Sequence, residues 1–129
     1  PSIIRSYPSV IVLFTKLLIE KGFVVAPFEL KGIQLTSEVT SKYDHDFLSK
    51  YWGDILYYQY GHSEVSAIAS KFPNEDCYTF SPYYGFVEIV DDNNMPVNNG
   101  EVGRIVVTSL YNKTRPFIRY DTGDLARLK

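Results

Sequence analysis

The hydrophobic period of this chain changes partway along, and that change constrains its fold more than any other feature. In "SYPSVIVLFTKLLIEKG", Val10, Leu13, Phe14, Leu17 and Leu18 recur at i, i+3, i+4, i+7 and i+8. That spacing predicts an amphipathic helix, with Pro8 suited to its first turn and Gly22 to the position just past its end. "FELKGIQLT" predicts a short strand. "TSKYDHDFLSKYWG" predicts a second helix, capped by Thr40 or Ser41, stopped by Gly53 and burying Tyr43, Phe47, Leu48 and Tyr51. "DILYYQY" predicts the next strand. Helix and strand in alternation imply parallel strands joined by crossover helices. From "PYYGFVEIVD" onward the period is two. "DDNNMP" and "VNNGE" are turn chemistry, and "GRIVVTSL" and "RPFIRYD" predict further strands with no helix between them. The expected class is α/β, a partial parallel sheet followed by an antiparallel β meander. The composition shifts near "KFPNEDC", between Ala69 and Pro82, so the expected division is 1–75 and 76–129.

The 129 residues fit one domain or a large piece of one, and 45% hydrophobic content supports a sizeable core. A net charge of -2 without a basic run argues against nucleic acid as a partner. No apolar run reaches membrane-spanning length, and the first residues do not form a signal peptide. Cys77 is the only cysteine, which excludes an internal disulfide, disfavours a cysteine-based zinc site and suits a reducing, cytoplasmic setting. His45 and His62 are not at metal-ligand spacing. The chain starts at "PSIIRSYPS" and stops at "DLARLK", and it reads as an excised segment.

Two stretches concentrate polar groups where the strands end. In "YYQYGHSE" an aromatic run stops at Gly61 and gives way to His62, Ser63 and Glu64. Ligands of parallel α/β sheets sit beyond the carboxyl ends of strands, and a glycine lets the backbone turn sharply or lie close to a ligand. Glu64 suits a hard cation, and Tyr60 offers a ring face to a flat base. A plain strand exit, with Tyr60 in the core and Glu64 solvated, fits the same residues. In "RPFIRYDTGDLARL", Thr122, Gly123 and Asp124 read as a turn, or as a rigid carboxylate for the two hydroxyls of a ribose. Arg119 suits a phosphate or an acidic partner equally.

Taken together, these stretches resemble the adenylate-forming enzyme superfamily. "YQYGHSE" looks like its Tyr-Gly-x-Ser/Thr-Glu motif. "GEVGRIVVTSL" looks like its Gly-Glu-x-Gly-x-x-x-x-Thr strand, and "RPFIRYDTGDLARL" like its Pro-x-x-Arg-Tyr-x-Thr-Gly-Asp-Leu motif. Order and spacing match as well, and the resemblance covers essentially the whole chain. The branch it looks most like is the phenylacetate–CoA ligase-like group, with the CapK-type capsular polysaccharide biosynthesis proteins, whose Tyr-Pro-Ser helix "SYPSVIVLFTKLLIEKG" also resembles. The chain looks like an internal fragment of the large N-terminal domain of such an enzyme.

The resemblance implies a parent chemistry of carboxylate plus ATP giving acyl-adenylate and pyrophosphate, then transfer to CoA or another acceptor. It implies that Tyr60 stacks on adenine, that Gly61 belongs to the nucleotide site and that Ser63 lies near the phosphate or acyl group. Glu64 would hold magnesium as the catalytic ligand, Asp124 would bind the ribose hydroxyls, and Arg119 would support that region. "LTSE" stands where the family has Gly-Gly-Glu beside the adenine. Thr36 and Ser37 replace the two glycines, which bears on how closely the backbone approaches the base, and Glu38 is retained. His62 and Tyr58 are candidates for the acyl pocket, with a plain surface role open for His62. The family's phosphate loop with its lysine and its C-terminal catalytic lysine have no counterpart in these 129 residues. The implied partners are therefore ATP, magnesium, a small-molecule carboxylate and CoA, met by a fragment inactive by itself. Uncovered sheet edges favour a homo-oligomer. A non-catalytic nucleotide-binding or assembly module of polysaccharide biosynthesis on the same fold is the alternative.

Overall fold

A computed structural model describes residues 2–24 and 29–129. Elements follow in the order β1 (Ile3–Ser6), α1 (Pro8–Glu20), β2 (Gly32–Thr36), α2 (Lys42–Trp52) and β3 (Leu56–Gly61). Then come β4 (Ile68–Lys71), β5 (Thr79–Phe80), β6 (Gly85–Val90), β7 (Val102–Ser109) and β8 (Tyr120–Arg127). Strand order is β1-β2-β3-β4-β5 in the first sheet and β6-β7-β8 in the second. The chain divides into two compact units, Pro1–Tyr60 with Ser70–Tyr78 and Gly61–Ala69 with Thr79–Lys129.

In the first unit, β1 pairs with β2 and β2 with β3, all parallel, with α1 and α2 as the crossovers. This is the βαβ arrangement expected from the alternating periods. α1 has Pro8 in its first turn, and α2 is capped by Ser41, whose hydroxyl accepts from the Asp44 N–H at 3.0 Å. The core gathers Ile11 from α1, Ile33 and Leu35 from β2, Leu48 and Trp52 from α2, and Leu56 and Tyr58 from β3. Burying each of the aliphatic side chains contributes roughly 1.5–3 kcal/mol.

The structure corrects the expected helix faces. α1 buries Pro8, Ile11 and Thr15, and Val10, Leu13 and Leu17 of the predicted stripe are exposed. Phe14 and Leu18 do pack on the core. The helix is apolar on nearly every side, so periodicity alone allows more than one inward face. A polar contact accompanies the face observed: the Trp52 indole N–H donates to the Thr15 hydroxyl at 2.8 Å, and that hydroxyl donates to the Ile11 carbonyl at 2.7 Å. In α2, Leu48 and Trp52 are buried and Phe47 and Tyr51 partly so, whereas Tyr43 is exposed. The strand predicted over "FELKGIQLT" is β2, which starts at Gly32; Phe28 lies outside the described residues.

The second unit holds the antiparallel sheet β6-β7-β8, and its buried apolar residues are Ala67, Ala69, Val90, Val97, Ile105, Val106 and Val107. The "DDNNMP" turn forms as expected: the Asp91 carboxylate accepts from the Asn93 and Met95 N–H groups. "RPFIRYD" is not a strand along its length. Arg119 has φ +47, and its N–H donates to the Thr108 hydroxyl, so extended pairing begins only at Tyr120. Thr122, Gly123 and Asp124 form a bulge inside β8 rather than a turn. Arg104 pairs with Leu125 but Val106 with Asp121, so the intervening residues outnumber their partners. Gly123 has φ +80, the left-handed conformation that such a bulge accommodates without a Cβ.

Candidate functional site

Within the first unit, the carboxyl ends of two adjacent parallel strands bring expected residues together. Thr36 ends β2 and pairs with Gln59 of β3, next to Tyr60. Ser37 follows with φ +68, a conformation suited to the glycine that the resemblance has at this position. Its hydroxyl lies 3.4 Å from that of Thr36. Glu38 turns away to α1, where its carboxylate accepts from the Ser9 N–H and hydroxyl.

Tyr58 sits lower on β3, buried against α2. Its hydroxyl is hydrogen-bonded to His45 Nδ1, and the Lys71 ammonium lies 5.3 Å from its ring centroid. With His45, Ser49, Lys71 and Phe72 it lines a cavity of about 400 Å³. Burial, reinforced by Tyr78, pushes the Tyr58 phenol up to about 12.

Within the second unit, the segment after Gly61 folds into a polar cluster. The Glu64 carboxylate accepts from the Tyr120 hydroxyl at 3.1 Å on one oxygen, and His62 Nδ1 lies 3.1 Å from the other. His62 Nε2 lies 3.4 Å from the hydroxyl of Ser66, which is fully buried. A carboxylate only accepts, so Nδ1 carries the proton of this contact; in the neutral ring Nε2 then accepts from the Ser66 hydroxyl. The bond to its own backbone N–H, then those from Tyr120 and His62, hold the Glu64 carboxyl below the ordinary carboxylate range; Tyr120 is raised in return. His62 is half-buried in this network and is not a plain surface residue. Ser63 is exposed beside it.

On β8, Asp124 is exposed in the bulge, and its N–H donates to the Thr122 hydroxyl at 3.2 Å. The Arg119 guanidinium donates to the Glu88 carboxylate at 3.2 Å and to the Asn94 carbonyl at 3.1 Å. Arg104 pairs with Asp121, whose carboxyl is held low by the Gly123 N–H and then by Arg104. Tyr120 and Ser66 had no role in the sequence reading. The available signal was the position of Tyr120 inside the motif that ends in Asp124, although no local pattern announces a partner 56 positions away.

Several solved structures are similar to this chain. 2-Hydroxyisobutyryl-CoA ligase, in an open conformation with 2-HIB-AMP and CoA, matches with a TM-score of 0.82 at 22% identity, over 98% of this chain and 29% of its own. Mycobacterium smegmatis MbtA, in its apo form, matches at 0.75 and 15% identity, over 98% of this chain and 26% of its own. VinN matches at 0.70 and 18% identity, over 99% and 37%. The chain thus spans well under half the length of the structures it matches. The ligase is also known in a postadenylation state with R3-HIB-AMP. The likeness establishes the fold as that of part of an adenylate-forming enzyme domain, with a parallel-containing sheet and an antiparallel one. No family model and no curated protein matches the chain. Among the described residues, no helix is long and apolar enough to cross a membrane.

Proposed function

We propose that this chain is part of an ATP-dependent adenylate-forming ligase of the phenylacetate–CoA ligase-like branch, which includes the CapK-type proteins. The reaction joins a small carboxylate to AMP, releases pyrophosphate and passes the acyl group to CoA or another acceptor. The observation that carries this reading is the likeness, over 98% of the chain, to a ligase bound to 2-HIB-AMP and CoA. Tyr60 stacks on the adenine, with Thr36 and Ser37 beside it. Gly61 and Ser63 lie along the phosphate, Asp124 takes the ribose hydroxyls, and Arg119 braces the strand that carries Asp124. Tyr58 and His62 border the acyl group.

Glu64 is the residue that would hold magnesium. Its carboxyl is kept ionised, as a hard cation requires. Among the described residues no group of three or more His, Cys, Asp or Glu could hold a metal, so Glu64 would supply one ligand and not a complete protein cage. The ion, when bound, neutralises charge on the departing pyrophosphate. The exposed Cys77 thiol accords with a reducing, cytoplasmic setting. By itself the chain supplies adenosine contacts and one metal ligand, so it binds nucleotide weakly and does not turn over.

The test is nucleotide binding by titration calorimetry, or by NMR where affinity is low. Asp124→Ala removes charge-assisted bonds of roughly 1.5–3 kcal/mol each and lowers AMP affinity at least tenfold. Glu64→Gln spares AMP and weakens the magnesium-dependent part of ATP binding. Small and equal effects of both substitutions on both ligands would sink the assignment.

A further inference from the structure

We infer that Tyr120 is a positioning residue for Glu64, fixing its carboxylate for a metal–nucleotide complex. The inference rests on the proposed role of Glu64 and adds a residue to it. A glutamate in a loop has three side-chain torsions to order before it can hold a cation. Here both carboxylate oxygens are already engaged, by the Tyr120 hydroxyl at 3.1 Å and by His62 at 3.1 Å. Each holder is itself held. The Tyr120 ring packs against Phe117, with centroids 4.9 Å apart, and lies 6.4 Å from the His62 ring. His62 is anchored through Ser66, which is fully buried.

Tyr120 also occupies a defined place in the backbone. It is the first residue of β8 and pairs with Val107, a fully buried residue of β7. The phenol therefore reaches Glu64 from a rigid strand rather than from a second loop. A carboxylate offers about four acceptor sites, and Tyr120, His62 and the residue's own N–H use three, so capacity for a cation remains. Preorganisation of this kind raises affinity by removing the ordering cost from the binding step.

The experiment is manganese-induced broadening of backbone amide signals in the labelled chain, with manganese and ATP as the probe. In the wild type, signals from Gly61 to Val65 broaden, and Glu64→Gln abolishes this. Tyr120→Phe keeps the ring and removes the donor, so about tenfold more manganese–ATP is needed for equal broadening, while shifts caused by metal-free AMP are unchanged. Replacing Tyr120 by p-aminophenylalanine restores a donor at the same place and recovers the wild-type response, which a purely packing role would not do. If Tyr120→Phe loses the native spectrum, p-fluorophenylalanine at that position tests the same loss with nearly the size of tyrosine. Wild-type broadening in the donor-free variant, with loss in Glu64→Gln, overturns the positioning role and leaves the metal role standing. Absent broadening in the wild type, or none lost in Glu64→Gln, overturns both.

Discussion

The Glu38 carboxylate accepts two hydrogen bonds from Ser9, one from its backbone N–H and one from its hydroxyl, each 3.0 Å long. Ser9 lies in the first turn of α1; the helix has no side-chain N-cap of its own, and that turn holds no acidic residue. Glu38 therefore does from 29 positions away what a local cap usually does. It satisfies an orphan N–H and sets a negative charge against the positive end of the helix dipole. Glu38→Ala is expected to cost about 1–2 kcal/mol in urea unfolding, and Glu38→Gln less, because an acceptor remains. Ser9→Ala removes one of the two bonds and falls between. Unchanged midpoints in all three would show that the contact contributes nothing.

This contact marks what the sequence could and could not convey. Both helices were legible from local chemistry: Pro8 at one start, Ser41 at the other and Gly53 at a stop. The inward face of α1 was not, because a helix apolar on nearly every side needs its neighbours to choose, and Thr15 meets Trp52 from 37 positions away. β1, β4 and β5 have only four, four and two residues, too few for a period to register. The end of the meander was misread because Arg119 and the bulge at Gly123 break the extended run, and both depend on β7 alongside. Glu64, Tyr60 and Asp124 are expected as residue types at predicted strand ends, although Asp124 lies inside β8. The role of Tyr120 is not, since it meets Glu64 only after folding brings residues 56 positions apart together.

Two glycines of the second unit have opposite reasons to be glycine. A Cβ at Gly85 would lie 2.1 Å from the Ser66 carbonyl oxygen and 2.9 Å from that of Thr108, and neither is a side chain that can swing aside. A Cβ at Gly123 meets nothing within 4 Å, but the residue has φ +80. Gly123→Ala is expected to cost about 1–2 kcal/mol by conformation alone, and Gly123→Asn less. Gly85→Ala is expected to cost about 1–3 kcal/mol or more by overpacking, with no relief from asparagine. NMR distinguishes them. Gly85→Ala shifts the His62 and Glu64 signals because Ser66 must move, and Gly123→Ala leaves them in place. Identical spectral changes from both would contradict this account.

The buried phenol of Tyr58 gives the fold an alkaline limit. Its pKa is pushed up to about 12, by burial first and by Tyr78 second. The folded chain therefore holds this proton more tightly than the unfolded chain, whose phenol titrates near its ordinary value of about 10. The resulting stability is fully present below pH ~10 and disappears as pH rises through 10 to ~12, a loss on the order of 2–3 kcal/mol. Tyr78 and Tyr120 are also raised, one by burial and the other chiefly by its bond to Glu64, so they add to the slope in the same direction. Tyr58→Phe is expected to flatten the decline without removing it. At neutral pH the same change leaves His45 Nδ1 without its phenol partner and costs about 1–3 kcal/mol. Urea midpoints measured from pH 8 to pH 12 on both proteins test this. Parallel declines in wild type and Tyr58→Phe would mean that another group sets the alkaline limit.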